Sequence, residues 1–236
     1  MVEDLDRTSL KLVNSSGYPL QIAVRHAVEE SSEKHGWRVL AEEFPWKNDV
    51  SAKDGFVDII LENSLRTQIF LVECKRVRDS QWIFLLPSEC QSETKRAKSW
   101  AALHEDWFHW LDWEPEPQTY ESKYCVIPGK EEGRKAIIER EASKLVEATE
   151  SFAEAEKSRG IVAKNNYKFY SSVIVTNANL RVCKFESRVI DLGTGELDEA
   201  IFEDVGAVRF KKSLTTNVAQ GELQHEEQTV FVVNSS

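Results

Sequence analysis

The sequence predicts an α/β fold, a three-layer sandwich in which helices flank a mixed central β-sheet. Three observations carry this reading. A helical stretch near the N-terminus is followed at once by closely spaced apolar runs of strand character. A second long helical stretch follows Pro128-Gly129, and the chain then returns to β-like runs after residue 170. The strands of the first cluster lie too close together for helical crossovers, which argues against a doubly wound topology.

Taken in order, residues 1–16 read as a peripheral lead-in closed by Asn14-Ser15-Ser16-Gly17. Residues 19–34 read as a helix, with proline tolerated in its first turn and Leu20, Ala23, Val24, Ala27 and Ser31 on one face. Gly36 ends it. Residues 37–44 have strand character, and Pro45 with Asn48-Asp49 marks a break. Residues 56–62 and 68–75 form two further strands joined by turn chemistry from Asn63 to Thr67, a hairpin pattern. Residues 82–86 form a fourth apolar run. Ser88-Glu89-Cys90-Gln91 is a capping-box pattern that opens a helix over 88–113, stopped by Pro115 and Pro117. A further helix spans 131–159, with Ile138, Ala142, Leu145, Thr149 and Phe152 as a packing seam. Strands follow at 172–176 and 180–185, around a turn at Asn177-Ala178-Asn179, and at 205–210. Residues 215–236 read as peripheral, with order only at 230–233. The 236 residues are expected to make one folded unit, with a core over 18–86 completed by the 88–113 helix and by 131–210.

Composition bounds the function. Hydrophobic residues at 41% and charged residues at 30% suit a chain that folds around a core without disulfides. Cys74, Cys90, Cys125 and Cys183 form no CxxC pair, and the five histidines show no zinc spacing. The acidic start, Met1-Val2-Glu3-Asp4, is unlike a secretory leader, and no stretch is apolar enough to cross a membrane, so a cytoplasmic location is expected. A net charge of −10 is the wrong sign for a protein that coats nucleic acid non-specifically. Basic residues cluster locally at Lys75-Arg76-Val77-Arg78 and Lys95-Arg96-Ala97-Lys98.

The informative constellation is an aspartate inside one apolar strand and a Glu-x-Lys at the end of the next. Side chains alternate along a strand, so Glu73 and Lys75 share a face and Cys74 takes the other. Pairing of the two strands brings Asp58 beside Glu73. Acids inside apolar strands are costly unless paired or metal-bound, and two carboxylates with one ammonium suit phosphodiester hydrolysis. Glu93-Thr94-Lys95 and Glu121-Ser122-Lys123 also match Glu-x-Lys, but neither follows an apolar strand or an upstream buried aspartate.

On these residues the chain resembles the PD-(D/E)XK, or restriction-endonuclease-like, nucleases over about residues 18–86. That family carries an aspartate on a hairpin and then a Glu-x-Lys on an αβββαβ core. Asp58 matches the first acid and Glu73-Cys74-Lys75 the second motif, while Val57 stands where the literal motif has proline. The resemblance implies Asp58, Glu73 and Lys75 as catalytic residues. It implies Mg²⁺ or Mn²⁺ held by Asp58, Glu73 and the Cys74 carbonyl, and DNA as substrate. Gln21, Glu29 and Glu30 are candidates for the first-helix contribution, and Gln91 for a contact near the scissile phosphate. The implied activity is that of an endonuclease. The alternative is a nuclease-fold subunit that no longer cleaves and serves a DNA-processing or defence system as a binding or regulatory partner. Homodimerisation through the 131–159 helix or the tryptophan-rich segment 104–113, and a partner protein supplying targeting, belong to the same expectation. Trp107 and Trp110 are assigned to packing, because the acids interleaved with them repel phosphates.

Overall fold

A computed structural model describes residues 2–48, 52–77, 81–89, 96–103, 107–128, 137–159, 167–215 and 225–235. Two helices open the chain, α1 (Val2–Ser15) and α2 (Tyr18–His35). The lead-in is therefore helical, although it is peripheral: Leu5, Leu10, Leu12 and Val13 are all exposed. Helix α2 ends where Gly36 adopts φ 72° and returns its N–H to the Ser32 carbonyl, a left-handed cap that favours glycine.

Strands β1 (Trp37–Asn48), β2 (Lys53–Asn63) and β3 (Gln68–Lys75) follow as an antiparallel meander. The expected hairpin is present, with Ile59 opposite Val72 and Glu62 opposite Ile69. Pro45 does not break β1. That strand pairs only with β2 at the edge of the sheet, where a residue lacking an N–H is tolerated.

The following strands are β4 (Gln81–Pro87), β5 (Ala97–Leu103), β6 (Trp107–Trp113), β7 (Tyr120–Ser122) and β8 (Cys125–Val126). The helix expected over 88–113 is thus replaced by the β5–β6 pair from Ala97 onward. Trp100 and Ala102 enter the core on one face of β5, while Ser99 bonds across the other. That is a period of two, and tryptophan and phenylalanine favour it. Gln91 lies outside the described residues.

Helix α3 (Ile137–Ser158) has all five expected seam residues buried, and its start before residue 137 lies outside the described residues. The seam packs on the sheet, so it is not a surface for a second copy. Beyond it come β9 (Tyr167–Thr176), β10 (Asn179–Phe185), β11 (Ile201–Asp204), β12 (Ala207–Thr215) and β13 (His225–Asn234).

Among the described residues the main sheet has nine strands. The path runs β1-β2-β3-β9-β13-β12-β7, and the β5–β6 pair branches onto β9. It is mixed: β3 runs parallel to β9, and β9 parallel to β13. The C-terminal segment is therefore not peripheral. Strand β13 lies inside the sheet, with Val230 and Val232 fully buried, and its short apolar run is what a strand covered on both sides needs.

The two sheet faces bury different clusters. Ile59, Leu61, Val72, Cys74 and Val173 pack under Leu20, Val24 and Val28 of α2. Ile60, Ile69, Leu71, Tyr170 and Ile174 pack under α3 on the opposite face. A second, four-stranded sheet, β11-β10-β4-β8, shares that larger core, with Phe84 edge-on to Phe210 at 6.2 Å. Strands β9 and β10 flank their turn as expected but belong to different sheets, and the fourth apolar run, β4, serves the second sheet. Cys74, Cys125 and Cys183 are unpaired. Among the described residues no helix is long and apolar enough to cross a membrane.

Candidate functional site

The ladder between β2 and β3 stops at Ile59 and Val72, one residue short of Asp58 and Glu73. The Cys74 N–H, which continued pairing would have turned to backbone, is taken instead by Asp58 Oδ2 at 2.7 Å. In an antiparallel strand the N–H and C=O of one residue point to the same neighbour, so the Cys74 carbonyl is directed to the same gap. The Asp58 carbonyl receives Gln21 Nε2 of α2 at 3.1 Å, and the same amide donates to Glu43 Oε1 at 2.7 Å. Gln21 is buried, so of the first-helix candidates it is the one brought to the site. Glu30 is not: it is exposed and pairs with His26 one turn away. Glu29 pairs with Arg25 in the same way.

Glu73 and Lys75 share the α3 face as alternation requires, with Lys75 Nζ 2.6 Å from Glu73 Oε1. The same ammonium lies 3.3 Å from Glu141 Oε2 of α3. Glu141 is buried and receives Arg140 at 3.0 Å. The sequence reading missed it, although a signal was there: Glu141 stands three residues after Ile138 and four before Leu145, a helical spacing that puts an acid on the face of the seam. Glu43 was also missed. It stands between the pairs Glu42–Ile59 and Phe44–Val57 with φ 46°, a strained conformation for a non-glycine residue, and no pattern in the sequence announces that.

The electrostatics are unbalanced towards negative charge. Burial raises the Asp58 carboxyl above its ordinary range, the Cys74 N–H and Lys75 oppose this, and Glu43 and Glu141 add to it. Burial also raises Glu73, with Asp58 adding to it and Lys75 opposing, to about 7. Burial pulls Lys75 down, but Glu73, Glu141 and Asp58 outweigh it, so the group stays an ammonium above its usual range. Glu141 is held below its ordinary value: burial raises it, while Lys75, Arg140 and Lys144 together prevail. The Cys74 thiol, on the α2 face, is pushed by burial up to about 12 and is inert at neutral pH.

Part of this cluster borders a cleft of about 200 Å³, whose lining does not include Asp58. Glu73, Lys75, Glu141 and Lys144 line it, with Asp54 at its border and Trp46 forming a wall. Trp46 pairs with Gly55, where an added Cβ would meet the indole nitrogen at 3.1 Å, so glycine lets the ring lie close and keeps the cleft open. Of the two basic runs only Lys75 lines the cleft. Arg78 and Lys95 lie outside the described residues, Arg96 immediately precedes β5, and Lys98 lies within it.

Among the described residues no three His, Cys, Asp or Glu side chains are grouped to hold a metal ion. The donor set in the gap is two carboxylates, Asp58 and Glu73, with the Cys74 carbonyl beside them. Magnesium keeps several of its waters and is commonly held by one or two carboxylates, so this oxygen-only set fits such an ion. The excess negative charge around Asp58 and Glu73 points the same way, since Glu141 has several cationic neighbours and, among the described residues, this pair shares Lys75 alone. Comparison of the chain with models of protein families, with curated proteins and with solved structures finds no match.

Proposed function

We propose that this chain is a metal-dependent endonuclease that hydrolyses phosphodiester bonds of DNA, using Asp58, Glu73 and Lys75. The observation that carries the reading is the end of the β2–β3 ladder. There two half-buried acids and an ammonium meet, with Glu73 and Lys75 at the wall of a cleft. Elements α2, β1, β2, β3, α3 and β9 come in the order expected of the αβββαβ core of the PD-(D/E)XK nucleases, with β4 to β8 inserted between β3 and α3.

Asp58, Glu73 and the Cys74 carbonyl would hold Mg²⁺ or Mn²⁺, which when bound polarises a phosphate oxygen and acidifies a water. Lys75 does the remaining work from the protein side. Glu73 and Glu141 fix its ammonium from two directions, so it reaches the cleft as an oriented donor. There it aligns the attacking water and offsets charge that grows on the phosphoryl oxygens. The water oxygen gives a proton to solvent and bonds to phosphorus, the bond to the leaving sugar oxygen breaks, and that oxygen takes a proton from solvent. Gln21 acts further back, tying the Asp58 backbone to α2 and Glu43.

The test is nicking of supercoiled plasmid by purified protein. Cutting should require Mg²⁺ or Mn²⁺ and fall by about 10²-fold or more in Lys75→Ala with the fold retained by circular dichroism; a fall of less than about tenfold overturns the assignment. A second reading, a nuclease-fold binding subunit that does not cleave, is favoured by the net charge of −10 and by the acids lining the cleft. Calorimetric metal binding without any turnover would select it.

A further inference from the structure

The sheet carries a second concavity, on the α2 face and away from the site. Strand β9 changes partner along its length: Tyr167 to Tyr170 pair with β5, and Ser172 to Thr176 pair with β13. Ser171 stands at that fork, buried, and its hydroxyl is spent on Ser99, which in turn accepts the Trp113 indole N–H at 2.9 Å. A pocket of about 360 Å³ lies over Ser171. This lies within the range of small-ligand sites.

Its walls are aromatic. Trp37, Phe70, Trp113 and Phe169 surround it, each half-buried, so ring surface is left facing the space. Trp37 and Phe70 stack at 4.2 Å and 22°, which fixes one wall, and Trp113 is braced by Phe231 at 6.0 Å. Among the described residues the charged group lining the pocket is Glu116, and no cation lines it. Gln68 is the other exposed polar residue at the rim.

We propose that this pocket binds an organic cation, a quaternary or methylated ammonium. Ring faces carry negative quadrupole charge and attract such a cation, and they pay little desolvation when it is cloaked in methyl groups. Glu116 supplies the formal counter-charge. The same carboxylate, with no lysine or arginine lining the pocket among the described residues, disfavours a phosphate-bearing ligand, so the pocket is not taken as a subsite for the substrate strand. The inference is independent of the nuclease reading, because the two sites occupy opposite faces of the sheet.

The experiment uses the full chain, with choline as probe and 3,3-dimethylbutan-1-ol, its uncharged isostere, as control. Binding is read by the fluorescence of the tryptophans and by calorimetry. Choline should bind roughly tenfold or more tightly than the alcohol. Glu116→Gln should weaken choline by about three- to fivefold and leave the alcohol unchanged. Trp113→Ala should abolish binding, and Trp113→Phe, which keeps a ring face should the alanine variant fail to fold, should retain most of it. Equal affinity for choline and the alcohol overturns the proposal, leaving an apolar cavity only. Binding of adenosine without choline overturns it in favour of a nucleobase pocket, and absence of saturable binding by choline overturns it outright.

Discussion

Replacing Glu73 by glutamine should remove a pH dependence of stability that the metal-free protein otherwise carries. Burial, with the Asp58 carboxylate close by, raises Glu73 from its ordinary 4.5 to about 7. The native state therefore holds this proton more tightly than the unfolded chain does. The stabilisation is fully present below about pH 4.5 and is lost as pH rises to about 7, which at about 1.4 kcal/mol per pH unit amounts to about 3 kcal/mol. The side chain is 15% exposed, so solvent screening removes only part of this. The assay is urea unfolding in EDTA at pH 5 and at pH 8, for wild type and Glu73→Gln. The difference between the two proteins cancels the titrating groups that do not interact with Glu73. It should change in the variant's favour by about 1 M in midpoint between the two pH values. Saturating Mg²⁺ should then restore wild type at pH 8 by about 2–3 kcal/mol and leave the variant nearly unchanged. Equal pH slopes in the two proteins would refute the electrostatic account. Equal stabilisation by Mg²⁺ would refute Glu73 as a ligand.

Lys75→Ala should lower the turnover rate by about 10²–10³, the loss typical of one donor to developing charge, with the fold retained by circular dichroism; a fall of less than tenfold would remove Lys75 from the chemistry. Gln21→Ala breaks the links to Glu43 and to the Asp58 backbone, so metal affinity by calorimetry should fall by about 10–100-fold, and unchanged affinity would make Gln21 a packing residue. Lys168→Met leaves Glu156, which now receives that ammonium at 3.0 Å and Tyr170 at 2.7 Å, buried with half its partners. The cost should be about 3–5 kcal/mol, a melting-temperature drop on the order of 10 °C, and a drop under about 2 °C would show that the network is dispensable.

How much of this was legible in the sequence follows from which interactions are local. Helix α2, strands β1 to β3 and the facing of Glu73 with Lys75 depend on short-range periodicity and turn residues, and they stand where the sequence places them, except that β1 runs on through Pro45 to Asn48 and β2 begins at Lys53. The segment 97–113 misled because a capping-box pattern at 88–91 and tryptophans three apart fit a helical period, while antiparallel pairing of β5 with β9 decides the outcome. Strand β13 was underestimated for a related reason. Only Val230 to Val233 is strongly apolar, and the strand owes its place to β9 and β12, partners distant in sequence.

The site divides along the same line. Asp58 and Glu73 were found because acids in apolar strands are rare enough to stand out. The use of Asp58 was not readable, because it depends on where the β2–β3 ladder stops, and no single residue marks that point. A ladder continued by one more pair would turn the Cys74 N–H to the β2 backbone and release the Asp58 carboxylate from its anchor. The kink at Glu43 in β1 lies opposite the same step, and Gln21 ties that kink to the Asp58 carbonyl. Ladder end, strained glutamate and buried amide thus act as one device. It follows that Glu43→Gly, which relieves the φ 46° strain, should leave the fold at least as stable while loosening Asp58. A variant that gains stability and loses metal affinity would separate the two roles, and one that keeps full affinity would show that the kink is incidental.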